Sequence, residues 1–402
     1  MTYMESEGKS LKVLLLNSSH NDLGLIRGLK KLGAEIVVTG SVPGLIGQKY
    51  CDKYIQADYS DKNLVLKIAK DEQVDRICAC CNDYGVYTAA YVAEKLGIPG
   101  YDSYETTCIL NNKDKFKKLA KELGIITPWT ESFSDASRAN DFIKGRTDYP
   151  LIIKPSDASA GNGVTKVENE DEALRAIPVA FNKCRNGIIV IEQYLEGSQH
   201  GFCTFLINQK VKAICTNNEY SIMNPYRVEI DTFPADNREQ AAEVLVPEIE
   251  RIASHLHLVD GIFHLQYIMS DGKPQIIEVM RRAIGNMYSV LSDQLTGIQW
   301  DYWEARAKCG LDCSDFPTSV KQEGAFAYKA IISDRNGTIS SINIPEEYYK
   351  YIFDSCLLRS EGDIITNHKS EPVGLLFFMF SSVEEMKRVL IDEYRCDLVT
   401  VV

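Results

Sequence analysis

The alternation of strand-length apolar runs with helix-spaced segments between Leu11 and Leu96 constrains this chain more than any other feature. Leu11 to Leu16 is apolar apart from Lys12 and reads as a strand, and the polar turn Asn17-Ser18-Ser19-His20-Asn21-Asp22 follows at once. Leu25, Ile26, Leu29 and Leu32 then recur at helical spacing, with Gly33 placed to end the helix. Ala34 to Thr39 and Val74 to Cys80 read as further strands, and 63–70 and 83–96 as helices. Such alternation predicts a doubly wound parallel sheet, whose ligands sit beyond the carboxyl ends of the strands. His20 and Asp83 occupy such ends, where substrate contact and a structural role are both open. The turn has no Gly-x-Gly-x-x-Gly, so it carries no dinucleotide fingerprint.

At 402 residues the chain is long enough for two or three domains with filled cores. Its formal net charge of −12 argues against nucleic acid or an anionic membrane as the main partner. No apolar run is long enough to span a bilayer, and the polar opening Met1 to Ser10 reads as a disordered tail. The 12 cysteines lie mostly in apparent strands and helices. Neither Cys78-Ala79-Cys80-Cys81 nor the pair Cys309 and Cys313 has a partner pair at zinc-finger spacing, so buried thiols in a reduced, cytoplasmic protein are expected.

A second informative stretch is Leu151-Ile152-Ile153-Lys154-Pro155, a strand ending in a lysine, followed by a loop of small residues through Gly163. Small residues let backbone N–H groups approach phosphate oxygens, and a lysine on a rigid strand supplies a point charge. It is not a Walker loop, since Gly-Lys-Ser/Thr and a following helix are missing. Asn112 to Leu123 opens another helix, Ile188 to Leu195 is a buried strand, and 217–231 is an irregular stretch carrying Arg227, which is open to a substrate carboxylate or a neighbouring acid. Further on, 261–268 and 274–280 read as an antiparallel pair that places Gln266 and Glu278 on one face. His264 on that apolar strand reads as a core histidine, Lys117, Lys118 and Lys121 as a solvated helix face, and Arg281 as structural. After Pro317 the pattern is mainly β.

The ordered set of Lys115, Lys154 with its loop, Glu192-Gln193-Tyr194-Leu195, and the later Gln266, Glu278 and Arg282 resembles the ATP-grasp superfamily. It looks most like the branch holding carbamoyl-phosphate synthase and biotin carboxylase, and the resemblance runs from Leu11 to the β-rich end. It implies an α/β and α+β ATP-grasp fold. The expected divisions are a tail at 1–10, a Rossmann-like domain at 11–111, an ATP-grasp domain at 112–317 with a lid at about 128–192, and a β-rich subdomain at 318–402.

Residue by residue, the resemblance assigns Lys115 and Lys154 to the ATP phosphates, and Ser159, Gly161 and Gly163 to a lid over them. Glu192, Tyr194 and Leu195 would take adenine, and Gln199 the ribose, where the family usually has glutamate. Gln266 and Glu278 would bind Mg²⁺, Arg282 would clamp the carboxylate or acyl phosphate, and Arg282 and Lys154 are the catalytic residues it implies. Asn286 joins His20, Asp83 and Arg227 as a substrate residue. Met280 departs from the family's asparagine ligand, because a thioether is a poor partner for a hard cation. The implied activity is ATP- and Mg²⁺-dependent ligation of a small carboxylate, such as an amino acid, to an amine, in a homodimer. A small-molecule kinase and a regulatory nucleotide-binding protein are the competing readings.

Overall fold

The computed structural model describes residues 10–158, 161–317 and 323–402. In its N-terminal part, β1 (Lys12–Leu16), β2 (Glu35–Gly40), β3 (Lys53–Gln56) and β4 (Arg76–Cys78) form a parallel sheet in the order β3-β2-β1-β4. The chain reverses direction across the sheet between β1 and β4, so a crevice opens beyond their carboxyl ends. Asp22 ties those two ends together. Its Oδ1 accepts from the Cys81 N–H at 2.8 Å, and its Oδ2 from the Ser19 N–H at 2.8 Å.

A four-stranded sheet follows in the order β5-β8-β6-β7, from β5 (Thr130–Phe133), β6 (Leu151–Pro155), β7 (Thr165–Val167) and β8 (Ile189–Gln193). Helices Ala136–Ile143 and Glu170–Lys183 cover one face, where Ile143, Ile153, Ile177 and Ile191 are fully buried. Each such side chain contributes roughly 1.5–3 kcal/mol relative to exposure.

The largest sheet takes eight strands in the order β13-β12-β9-β10-β11-β14-β18-β16. They are β9 (Ser198–Ile207), β10 (Lys210–Tyr220), β11 (Ile230–Phe233), β12 (Gly261–Ser270), β13 (Lys273–Met280), β14 (Ala325–Ile331), β16 (Ile352–Leu357) and β18 (Gly374–Phe380). The remaining strands, β15 (Gly337–Ile342), β17 (Ile364–Ile365) and β19 (Val399–Val401), make a small sheet of their own. The large sheet therefore continues through the position expected as a boundary near 318. All 12 cysteines are free thiols, and burial pushes the Cys78 and Cys80 thiols well up. No helix among the described residues is long and apolar enough to cross a membrane.

The N-terminal part is joined to the rest by close packing of helix Leu23–Lys31 on helix Trp300–Lys308. Gly24 makes this possible, since a Cβ there would lie 1.7 Å from Asp301 Oδ2. Burial pushes the Asp301 carboxyl up to about 6 and that of nearby Asp293 up to about 8. Both groups hold a proton more tightly when folded than when unfolded. The stability this gives is complete below the ordinary aspartate range and is lost as pH rises through about 6 and then about 8. Asp293→Asn is expected to flatten the fall in melting temperature over that window, an effect of roughly 1.4 kcal/mol for each pH unit spanned. A variant with the same pH profile as the parent protein would contradict this.

Candidate active site

Strands β6 and β8 run antiparallel, with Lys154 opposite Val190 and Ile152 opposite Glu192, and Lys154 Nζ forms a buried ion pair with Glu192. Lys117 Nζ lies 3.7 Å from the other Glu192 oxygen, and the Thr130 hydroxyl donates to it at 3.1 Å. Burial alone would raise the Glu192 carboxyl, but Lys154 and Lys117 outweigh it and hold the group below its ordinary range. The Glu192 carboxylate is thus engaged by lysines, and what it leaves for a planar base is the main chain after β8. Leu195 is buried there, and Lys166 Nζ lies 4.2 Å above the Tyr194 ring.

Lys117 corrects the reading of a wholly solvated helix face. Its side chain is buried and donates to the Ile276 carbonyl at 3.1 Å, and burial brings its ammonium down to about 8. Lys118 and Lys121 are exposed, as expected. Lys115 is corrected in the same way, because the helix Lys113–Leu123 turns it into solvent. Two residues along a helix are about 200° apart, so 113 and 117 share the inward face that 115 leaves. Lys113 Nζ donates to the Ala158 carbonyl at 2.8 Å and lies 3.1 Å from Glu278 Oε2. Three lysines therefore converge where one helix, β6 and the Glu278 strand meet, although sequence reasoning picked a neighbour of the first.

A polar stripe crosses one face of the large sheet. Glu278 on β13 stands opposite Gln266 on β12, as expected. Gln199 on β9 is paired with Glu219 on β10, Glu219 with Asp231 on β11, and Asp231 with Tyr328 on β14. Glu219 Oε2 accepts from Gln199 Nε2 at 2.6 Å and from Gln266 Nε2 at 2.7 Å. The sequence reading missed Glu219, Asp231 and Lys113. Gly201 clears the stripe, because a Cβ there would lie 2.3 Å from Asn217 Oδ1, while Asn217 Nδ2 donates to Asp231 at 2.9 Å. Burial raises the Glu219 carboxyl and, with Glu219 beside it, raises Asp231 well above its usual range.

These carboxyl groups fit a hard cation in part. Among the described residues no three or more His, Cys, Asp and Glu side chains gather at metal-binding spacing. Mg²⁺ asks for less, since it binds one or two carboxylates and completes its shell with phosphate oxygens and water. Glu278 and Glu219 are the carboxylates on offer, and the Gln266 amide turns its nitrogen to Glu219 and leaves its oxygen to a ligand.

Arg282 is buried beyond the end of β13. Its Nε donates to Asp83 Oδ1 at 2.6 Å, and one terminal nitrogen lies 3.3 Å from the Met280 sulfur. Met280 thus sits against the guanidinium, and Asp83 carries the N-terminal part into the site. Arg281 is structural, as expected, paired with buried Asp102 at 2.9 Å. His264 is buried but Nδ1 has no hydrogen-bond partner among the described residues, and burial followed by Arg282 brings its ring down to about 3.

His20 is brought down to about 4 by burial and then by Arg227, so the two lie close enough to repel. Asn286 donates from its main chain to Asn21 Oδ1 at 2.7 Å and from its side chain to the Tyr328 hydroxyl at 2.6 Å. Gly161 and Gly163 hold positive φ of 71° and 79°, and Gly161 packs directly on Tyr226. Ser159, assigned to the lid, lies outside the described residues.

The fold is that of ATP-grasp proteins, and residues 111–284 match the family model described as the phosphoribosylglycinamide synthetase ATP-grasp (A) domain. That stretch carries an ATP-grasp domain, and the chain is similar to proteins of the carbamoyl-phosphate synthase and biotin carboxylase-like branch. It superposes on an L-amino acid ligase from Bacillus licheniformis with a TM-score of 0.81 and 19% identity, covering 98% of this chain and 99% of that one. The biotin carboxylase domain of the Hydrogenobacter thermophilus 2-oxoglutarate carboxylase, in complex with MgADP and bicarbonate, gives 0.76 and 19%, with 97% and 91% covered. In sequence, the carbamoyl phosphate synthase large chain of Clostridium beijerinckii is 22% identical over 276 residues, which is 64% of this chain. The chain spans only 24% of that relative's length.

Proposed function

We propose that this protein is an ADP-forming ligase that activates a small carboxylate as an acyl phosphate for attack by an amine. The observation that carries this reading is the convergence of Lys113, Lys117 and Lys154 with Glu278, Glu219 and Arg282 at the junction of the lid sheet and the large sheet. Lysines at the end of β6 and at the helix start suit the ATP phosphates. Glu278 and Glu219, with the Gln266 oxygen, would hold Mg²⁺, which supplies charge neutralisation on the phosphates when bound.

The chain's own residues then do two things. Lys113, Lys117 and Lys154 fix the triphosphate, and the fork of Arg282, aimed by Asp83, offers N–H groups to oxygens that gain charge. A substrate carboxylate oxygen bonds to the γ-phosphorus as the bond to the ADP oxygen breaks. The amine nitrogen next bonds to the acyl carbon, phosphate leaves, and the amine gives up a proton. Positioning and charge neutralisation are the usual division of labour in such transfers. The ligase reading comes with the 112–317 ATP-grasp division, the 128–192 lid and a homodimeric assembly. In support, the Bacillus licheniformis neighbour of nearly equal length is described as an L-amino acid ligase.

The test is to incubate the protein with Mg·ATP, a panel of amino acids and small carboxylates, and hydroxylamine. The expected result is ADP together with a hydroxamate of one carboxylate class. ADP with a stable phosphorylated product and no hydroxamate would overturn the reading.

A further inference from the structure

The chain carries a formal net charge of −12, yet one of its clefts is lined by unmatched cations. This cleft, of about 990 Å³, lies between residues 161–164, residues 223–229 and residues 367–370. Lys183, Arg227 and Lys369 line it, against two acids, Glu229 and Asp334. Both acids are already matched. Glu229 faces Lys329 at 3.1 Å and accepts from the Tyr394 hydroxyl at 2.6 Å, while Asp334 pairs with Arg335 at 3.2 Å. Among the described residues none of the three cations forms an ion pair.

Arg227 is the informative one, because the two lysines are exposed and it is half-buried. Burial alone pushes its guanidinium below the ordinary arginine range. Among the described residues its side chain donates one hydrogen bond, to the Lys369 carbonyl at 3.1 Å. A guanidinium has five N–H donors, so most of this fork is unspent. A half-buried charge with no counter-ion is costly, which favours an anion arriving from outside.

The segment that carries Arg227 is held in place from both sides. Tyr226 packs on Gly161, and its hydroxyl accepts from the Lys166 N–H at 2.7 Å. On the other side, Asn224 donates to Lys369 at 3.4 Å. The titratable groups in the field of Arg227 are His20 and Tyr328. Tyr328 ends the polar stripe that begins at Glu278. Arg227 therefore lies by the Tyr328 end of the stripe, away from Glu278.

From this arrangement we infer that Arg227 binds a second anionic group, a carboxylate or a phosphate, on the substrate whose other carboxylate is activated. The inference rests on the ligase reading and narrows its substrate class to dianions. The reacting carboxylate lies toward Glu278 and Arg282, and the second anion enters the fork of Arg227.

The test is calorimetric titration of the full chain with Mg·ADP present, which reads binding without turnover. The probes are linear dicarboxylates of increasing length and glycerol 3-phosphate, each against a monoanion of matched length. At least one dianion is expected to bind about tenfold or more tightly than its match, since a charge-assisted fork contact is worth that much. Arg227→Gln is expected to erase the preference and Arg227→Lys to keep part of it, because lysine retains the charge but loses the fork. Whether the dicarboxylate or the phosphate arm shows the preference identifies the second group. Equal binding of dianions and monoanions, or a preference that survives in Arg227→Gln, would overturn the inference. So would a loss confined to Mg·ADP, which would give the cleft to the nucleotide. A lack of ADP production from any carboxylate would sink the ligase reading and leave this binding result standing.

Discussion

Lys154→Met is expected to abolish ATP-dependent turnover and to lower stability sharply at the same time. The second effect follows from Glu192, which is buried and would lose its contacting counter-ion, leaving Lys117 at 3.7 Å. Breaking a buried ion pair from one side typically costs about 3–5 kcal/mol, because a charge is left without compensation. Combining Lys154→Met with Glu192→Gln is expected to restore most of that stability, since the amide carries no charge. It is not expected to restore nucleotide binding. Denaturant unfolding and nucleotide titration of both variants separate the two roles. Turnover at the parent level in Lys154→Met would remove Lys154 from the phosphate site.

Arg282→Lys is expected to reduce turnover by about a hundredfold or more while leaving nucleotide binding nearly unchanged, the usual cost of losing one preorganised contact to developing charge. Arg282 reaches Asp83 through Nε at 2.6 Å and keeps its terminal nitrogens for Met280, the Ala283 carbonyl and a ligand. Lysine presents a single point charge and cannot make the same set of contacts. Asp83→Asn weakens the aim of the fork without removing it, so its loss is expected to be smaller and to fall on kcat. A larger effect on ATP affinity than on kcat in Arg282→Lys would place the arginine on the triphosphate instead.

The parts of this molecule most legible in its sequence are those whose side chains segregate cleanly. The runs that became β1 and β2 are buried along almost their whole length, and a strand buried on both faces reads as continuous apolar sequence. The Gln266 and Glu278 pairing was legible because the period of two fixes faces once the turn is placed. Strand β3, Lys53–Gln56, was not legible, since it is a short edge strand with no fully buried residue. Helix Trp300–Lys308 was hidden for the opposite reason, because Asp301, Glu304 and Lys308 are buried polar groups that erase its amphipathic period.

Glu219 shows why half the site stayed invisible. Thr216, Asn217 and Asn218 precede it, and all three are buried, so the end of β10 reads as a loop although it is a strand with polar groups on both faces. Polar side chains gather there along the stripe, and they remove the alternation that announces a strand. The sequence reading assigned Lys115 and gave Lys113 no role, for a smaller reason. Both lie in the first turn of one helix, and only the direction of that helix, set by packing of Phe116 and Ala120, decides which of them turns inward.

In the ligase we propose, the carboxylate itself attacks the phosphate of ATP. The most direct measurement follows oxygen-18 from a labelled cognate carboxylate through a complete turnover with Mg·ATP and an amine. Acyl phosphate formation predicts one labelled oxygen in the inorganic phosphate released, because the attacking oxygen leaves with the phosphoryl group. Unlabelled phosphate, or label kept entirely in the carboxylate product, would contradict the account.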